Sequence, residues 1–158
     1  MKKNDTVQLS KKSKRSSLRS VSVDGQGNFG IVKNGKVAHS LPGRGNINNF
    51  ELEKSKGVII VEIIEYVPNA VLIKTIIKKT TGNISVMSFD TGEGLTEKTS
   101  PFDTFAQIID GNAEIVIDGV SNLLGTGEGI ILPAHRPNIF RANERFKMIL
   151  TVIKSGYE

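Results

Sequence analysis

From residue 58 onward the chain is a succession of short β-type runs broken by turn residues. Val58 to Tyr66 is dense in β-branched side chains, and Pro68-Asn69 marks a turn. Ala70 to Lys79 alternates, with Val71, Ile73, Thr75 and Ile77 on one side and Leu72, Lys74, Ile76 and Lys78 on the other, as an extended strand places them. Thr81-Gly82-Asn83 turns the chain and Ile84 to Phe89 extends it again. Ala106 to Ile109 and Ala113 to Asp118 flank Asp110-Gly111-Asn112, which predicts a hairpin turn, and Asp118-Gly119 predicts a second. Gly129 to Leu132, Asn138 to Arg141 and Phe146 to Ile153 complete the series. This rhythm of short strands and Gly, Asn and Pro breaks predicts an all-β sandwich or barrel. No segment has a long amphipathic period of 3.6; a short helix or turn is expected around Phe50 to Lys56.

Residues 1 to 50 follow no such pattern. They are rich in Ser, Lys, Gly and Asn, with apolar residues scattered among them. They are expected to form a mostly disordered or loosely attached arm, with the barrel over 51–158. Phe29-Gly30-Ile31-Val32 and Lys36-Val37-Ala38 are candidates for small strands annexed to an edge of the domain. Gly43-Arg44-Gly45-Asn46 has neither the buried strand before it nor the helix after it that a phosphate-cradling loop requires.

Composition narrows the field. A chain of 158 residues with 38% hydrophobic positions can bury one core. No run approaches the ~20 apolar residues of a membrane helix, and no apolar core follows Lys2 and Lys3 as in a secretory leader. Cysteine is absent, which excludes disulfides, thiolate catalysis and Cys-based zinc sites. A cytoplasmic protein is expected. The net charge of +5 is unevenly placed: residues 1–20 carry seven Lys and Arg against Asp5 alone, a net +6, leaving −1 for the remaining 138. Such an arm can contact anionic partners or simply keep the protein dissolved. No aromatic interleaves its charges to stack on bases, so nucleic acid is not the expected partner.

Residues 92–142 carry the most specific pattern. The first half reads Gly92-x5-Lys98-x-Ser100-x3-Thr104-x6-Gly111, and the second Gly127-x5-Pro133-x-His135-x2-Asn138. This spacing resembles the two motifs of the cupin superfamily. Further marks resemble a group of small single-domain bacterial cupins. They are Phe89-Asp90-x-Gly92-x-Gly94-Leu95, Pro101-Phe102-Asp103, Gln107-x3-Gly111-x-Ala113-Glu114-Ile115 and Arg145-Phe146-Lys147-Met148. The resemblance covers residues 84–154, with 58–83 as strands leading in, and implies a double-stranded β-helix (jelly-roll) barrel. Its members do many different things.

The resemblance also implies a metal site, and here the chemistry departs. At the four positions where that family carries His, His, Glu and His stand Lys98, Ser100, Thr104 and Asn138. A protonated amine cannot ligate and repels a cation; hydroxyls and an amide are weak donors to transition metals. His135 sits three positions before Asn138, and His39 lies in the N-terminal region. No metal and no cofactor is therefore expected.

The remaining polar set, Lys98, Ser100, Thr104 and Asn138 with His135 beside it, is the candidate ligand site. Residues 98 and 100 share one face of an extended segment, which the barrel would turn inward. An inward lysine is a cationic anchor for an anionic, carbonyl-bearing or sugar-like small molecule, or, in sharper form, a Schiff-base or general-base amine. The alternative is a lysine that snorkels out of a site that has lost its chemistry. Arg136 and Arg141 are candidate rim residues; Phe102, Phe105 and Phe140 are candidates for core or seam, and Gln107 for the outer face or a dimer seam. A small-molecule binding module is thus the leading expectation. A metal-independent sugar isomerase or epimerase is the second, although such a site would pair a His base with a Tyr acid and the only tyrosines are Tyr66 and Tyr157. A dimeric platform whose basic arm contacts nucleic acid is the third. A homodimer is expected from the resemblance; a membrane partner is not.

Overall fold

The computed structural model describes residues 51–154 and, as backbone, 31–33 and 36–38. Strands β1 (Ile31–Lys33) and β2 (Lys36–Ala38) pair antiparallel, on the two N-terminal pieces expected as strands. The rest of the expected basic arm, His39 included, lies outside the described residues.

Eight strands build the barrel: β3 (Val71–Lys79), β4 (Gly82–Phe89), β5 (Gly94–Thr99), β6 (Thr104–Ile117), β7 (Val120–Gly125), β8 (Gly129–Leu132), β9 (Pro137–Arg141) and β10 (Phe146–Ile153). All pairings are antiparallel. One sheet runs β3-β4-β10-β6-β8 and the other β7-β6-β9-β5. The long β6 belongs to both. Its first half pairs with β8 and β10, its second with β7 and β9.

That sharing corrects the hairpin expected at Asp110-Gly111-Asn112. The chain does not reverse there; β6 continues through it without a break. The register against β10 slips by one residue, from Lys147↔Asp110 to Met148↔Ile108, a bulge of the kind that bends a strand from one sheet into the next. Gly111 has φ +80°, and a Cβ there would lie 2.3 Å from the Arg145 carbonyl oxygen, so only glycine fits. The Asp118-Gly119 turn is a hairpin as expected. Both residues have positive φ, 49° and 79°, the conformation whose twist matches the flanking strands.

Residues 58 to 66 are not a strand. A single 3-10 turn, Ile60–Glu62, sits in them, and the segment lies across the outer face of β3, β4 and β10. Side chains of the sheet, in place of a neighbouring strand, take its carbonyls. Lys147 Nζ donates to Val61 at 2.7 Å, Ser88 Oγ to Glu65 at 2.8 Å and Lys74 Nζ to Ile63 at 3.3 Å. This cover buries the outward-facing Val86 and Ser88 and the stem of Lys147. Tyr66 closes the segment by donating to Asp110 Oδ2 at 2.7 Å, with Arg145 and Lys147 over its ring. Of the short helix or turn expected over Phe50 to Lys56, the described residues 51–56 show a turn at Lys54-Ser55 and no helix.

The core fills one end of the barrel. Phe89 and Phe146 stack with centroids 4.4 Å apart, and Phe140 lies 6.3 Å from Phe89. Met87, Ile108, Ile115 and Met148 complete that end. The strict alternation expected for β3 fails beyond Thr75. A bulge between Thr75 and Ile77 turns Ile77 outward, where it is exposed.

Candidate functional site

The other end of the barrel is hollow. A cavity of about 270 Å³ lies between the sheets. Its wall on one side comes from Asn83, Ser85 and Met87 of β4 and from Leu150 and Val152 of β10. These residues stand two apart on each strand, so pairing brings them to one face: Asn83↔Val152 and Ser85↔Leu150. Thr104 and Leu132, partners on β6 and β8, add the next section. Lys98 and Asn138, partners on β5 and β9, close the opposite side. Phe140 links the cavity to the packed core.

Four of the five residues expected at the site therefore meet: Lys98, Ser100, Thr104 and Asn138 all line the cavity. Leu95 and Lys98 both line it although three residues apart, a spacing that simple alternation would split between two faces. The register slips between them, and the irregularity returns Lys98 to the cavity side of β5, at its rim. His135 does not join the lining. It is exposed, in the left-handed region at φ 62°, and its backbone N–H donates to the Ser100 carbonyl at 2.7 Å. Its role is in the turn after β8. Arg136 and Arg141 are also elsewhere, paired on the surface with Asp118 at 3.2 Å and Glu114 at 3.5 Å. Phe140 is core as expected and Gln107 points outward, whereas Phe105 is 41% exposed on the outer face.

Most polar atoms of the lining are already engaged. Ser100 Oγ accepts from the Phe102 N–H at 3.0 Å and donates to the Phe102 carbonyl at 3.1 Å, so both its functions serve the turn before β6. Asn138, buried, donates to the Arg136 carbonyl at 3.4 Å. Asn83 Nδ2 donates to Ser85 Oγ at 3.2 Å. Lys98 differs. It is the one charged residue of the lining, and no hydrogen bond or ion pair holds its amine among the described residues. Burial lowers its pKa, with no neighbouring charge contributing. The residue as a whole is exposed to solvent. The two facts agree for a lysine at the lip of a cavity: water touches one side, and barrel atoms displace it on the other.

Sequence reasoning missed Asn83 and Ser85. The signal was present as polar residues at every second position of a strand, leading to Met87, but nothing in the spacing told which face of β4 was interior. The donor set does not fit a divalent metal. An ammonium has no lone pair to give, the Ser100 hydroxyl is committed to Phe102, and no three His, Asp or Glu side chains converge among the described residues. No described helix is long and apolar enough to cross a membrane.

Comparison with solved structures gives relatives of one kind. A conserved protein of unknown function from Streptococcus pyogenes is 30% identical, with a TM-score of 0.62 over 71% of this chain and 96% of its own. A cupin superfamily protein from Desulfitobacterium hafniense is 27% identical, with a TM-score of 0.62 over 66% of this chain and 95% of its own. A cupin 2 conserved barrel domain protein from Leptotrichia buccalis is 32% identical, with a TM-score of 0.58 over 60% of this chain but only 46% of its own. No protein-family model matches the chain, and no curated protein does.

Proposed function

The chain belongs to the cupin superfamily, and from that premise we propose that it binds a small anionic or sugar-like molecule, held without a metal in the cavity beside Lys98. One observation carries this reading. Among the described residues, the only charged group of the lining is an amine that none of them pairs with. A partly desolvated cation without a partner is unfavourable by itself and is relieved by an anion in contact with it. Thr104, Asn138, Asn83 and Ser85 supply the hydroxyls and amides that would orient the guest.

An isomerase or epimerase reading has less to draw on. His135 stands outside the cavity, and Tyr66 is spent on Asp110 outside the barrel. A thermal-shift screen of keto acids, sugars and nucleotides, run beside a metal assay, tests the binding reading. The expected result is a stabilising ligand whose effect disappears in Lys98→Ala. Equal stabilisation of that variant, or stoichiometric transition metal in the purified protein, overturns it.

The expected homodimer is supported by the outer face of β8, β6 and β10. Ile131 and Phe105 are cross-strand partners there, and Ile149, Thr151 and Ile153 continue the face without a charged residue. An uncharged apolar face can meet its own copy across a two-fold axis with no like-charge repulsion. Sedimentation of the protein beside Phe105→Ser with Ile131→Ser checks it. A wild-type monomer at micromolar concentration removes the dimer.

A further inference from the structure

We infer that the guest of this cavity is a medium-chain monocarboxylate, its carboxylate on Lys98 and its hydrocarbon body inside the barrel. The inference rests on the binding reading above and narrows it, because it chooses the apolar anion over the sugar.

The lining is divided. Lys98 and Asn138 face each other at one side, where Lys98 and Thr99 retain solvent exposure. The rest of the wall is dominated by Ile73, Met87, Leu95, Leu132, Phe140 and Leu150. A sugar brings hydroxyls on every face, and each must exchange its water for a protein partner on entry. The interior has few to offer. Both functions of the Ser100 hydroxyl are taken by Phe102, and the Asn138 and Asn83 amides each spend a donor on Arg136 and Ser85, so what is left can orient one head group but cannot serve every face of a sugar. A hydrocarbon body needs none of these and gains from leaving water.

Charge and size complete the description. One cation with up to three donors and no described partner matches one compact anionic head, and with no second charge among the described lining residues a dianion's other end finds no partner there. A dry engineered cavity of ~150 Å³ holds benzene; by that scale the 270 Å³ found here takes a guest of roughly ten non-hydrogen atoms. Octanoate has that size.

The test uses the full chain and isothermal titration with octanoate, its uncharged counterpart octanamide, and the hydrophilic anions gluconate and glucose 6-phosphate. Saturable octanoate binding is expected, weakened about tenfold or more by replacing octanoate with octanamide or by Lys98→Met. Leu150→Phe, which fills the cavity and leaves the lysine in place, is expected to abolish it as well. Binding of gluconate or glucose 6-phosphate without octanoate overturns this inference and leaves the broader binding reading standing. Octanoate binding that survives both octanamide replacement and Lys98→Met removes the carboxylate contact. No binding by any of the four probes, with none found in the wider screen, overturns both.

Discussion

Lys98 and Asn138 are cross-strand partners on β5 and β9, one at the lip of the barrel and the other 8% exposed within it. Their pairing brings the two sequence motifs to one spot, since Lys98 belongs to the first and Asn138 to the second. The pair also sets the polarity of the cavity: a cation and an amide at its mouth, hydrocarbon beyond.

Lys98 carries a cost for that placement. Its pKa is lowered by burial, so the folded state disfavours the protonated amine. The destabilisation is full below the depressed folded value and shrinks as pH rises toward the unfolded value of about 10.4. Lys98→Met is therefore expected to melt above the wild type at pH 7, with the gap narrowing as pH rises toward the unfolded value. Melting curves across that range check it; a variant less stable than wild type at pH 7 refutes it.

Tyr66 acts in the opposite direction. Burial, followed by its hydrogen bond to Asp110 and the charge of that carboxylate, raises its pKa well above the ordinary phenol value. The folded state retains a proton that the unfolded chain releases near pH 10, so this contribution is present below pH ~10 and is lost above it. Tyr66→Phe should cost about 1 kcal/mol at neutral pH and should flatten the alkaline fall in stability. Urea unfolding at pH 7 and pH 10.5 measures both.

Two glycines with similar φ separate strain from space. Gly119 has φ +79° with nothing within 4 Å of where a Cβ would stand, whereas at Gly111, φ +80°, a Cβ would collide with the Arg145 carbonyl. Gly119→Ala is expected to cost about 1 kcal/mol, from backbone strain alone. Gly111→Ala adds a forced shift of β10 against β6 and should cost about 3 kcal/mol or more. Equal losses in denaturant titrations would contradict the close approach of the Arg145-Phe146 backbone to Gly111.

The packed end of the barrel depends on its aromatic stack. Phe146 has no exposed surface and lies 4.4 Å from Phe89, ring on ring. Phe146→Ala is expected to remove about 3–5 kcal/mol, a large share of the stability of a domain this size. Circular dichroism and chemical denaturation read the loss directly.

The local record was readable for the β-class, for most strand positions and for the Asp118-Gly119 turn, because alternation and turn chemistry act over a few neighbouring residues. The motif spacing, read as a resemblance, named four residues that do line one cavity. Val58 to Tyr66 misled because its β-branched residues suit a strand, and the carbonyl partners that hold it in another shape, Lys74, Ser88 and Lys147, lie 11, 23 and 86 residues away.

The amino-acid order by itself determined that strands would form, that four unusual polar residues would stand where metal ligands are the rule, and that no thiol chemistry was available. Folding decided which faces met. Gly111 became a bend and not a reversal because the β10 backbone approaches it. A slip between Leu95 and Lys98 brought the lysine to the rim of the cavity, and Asn83 and Ser85 joined the wall because β4 pairs with β10. Local spacing encodes period, but the inside of a barrel exists only once distant strands have closed it.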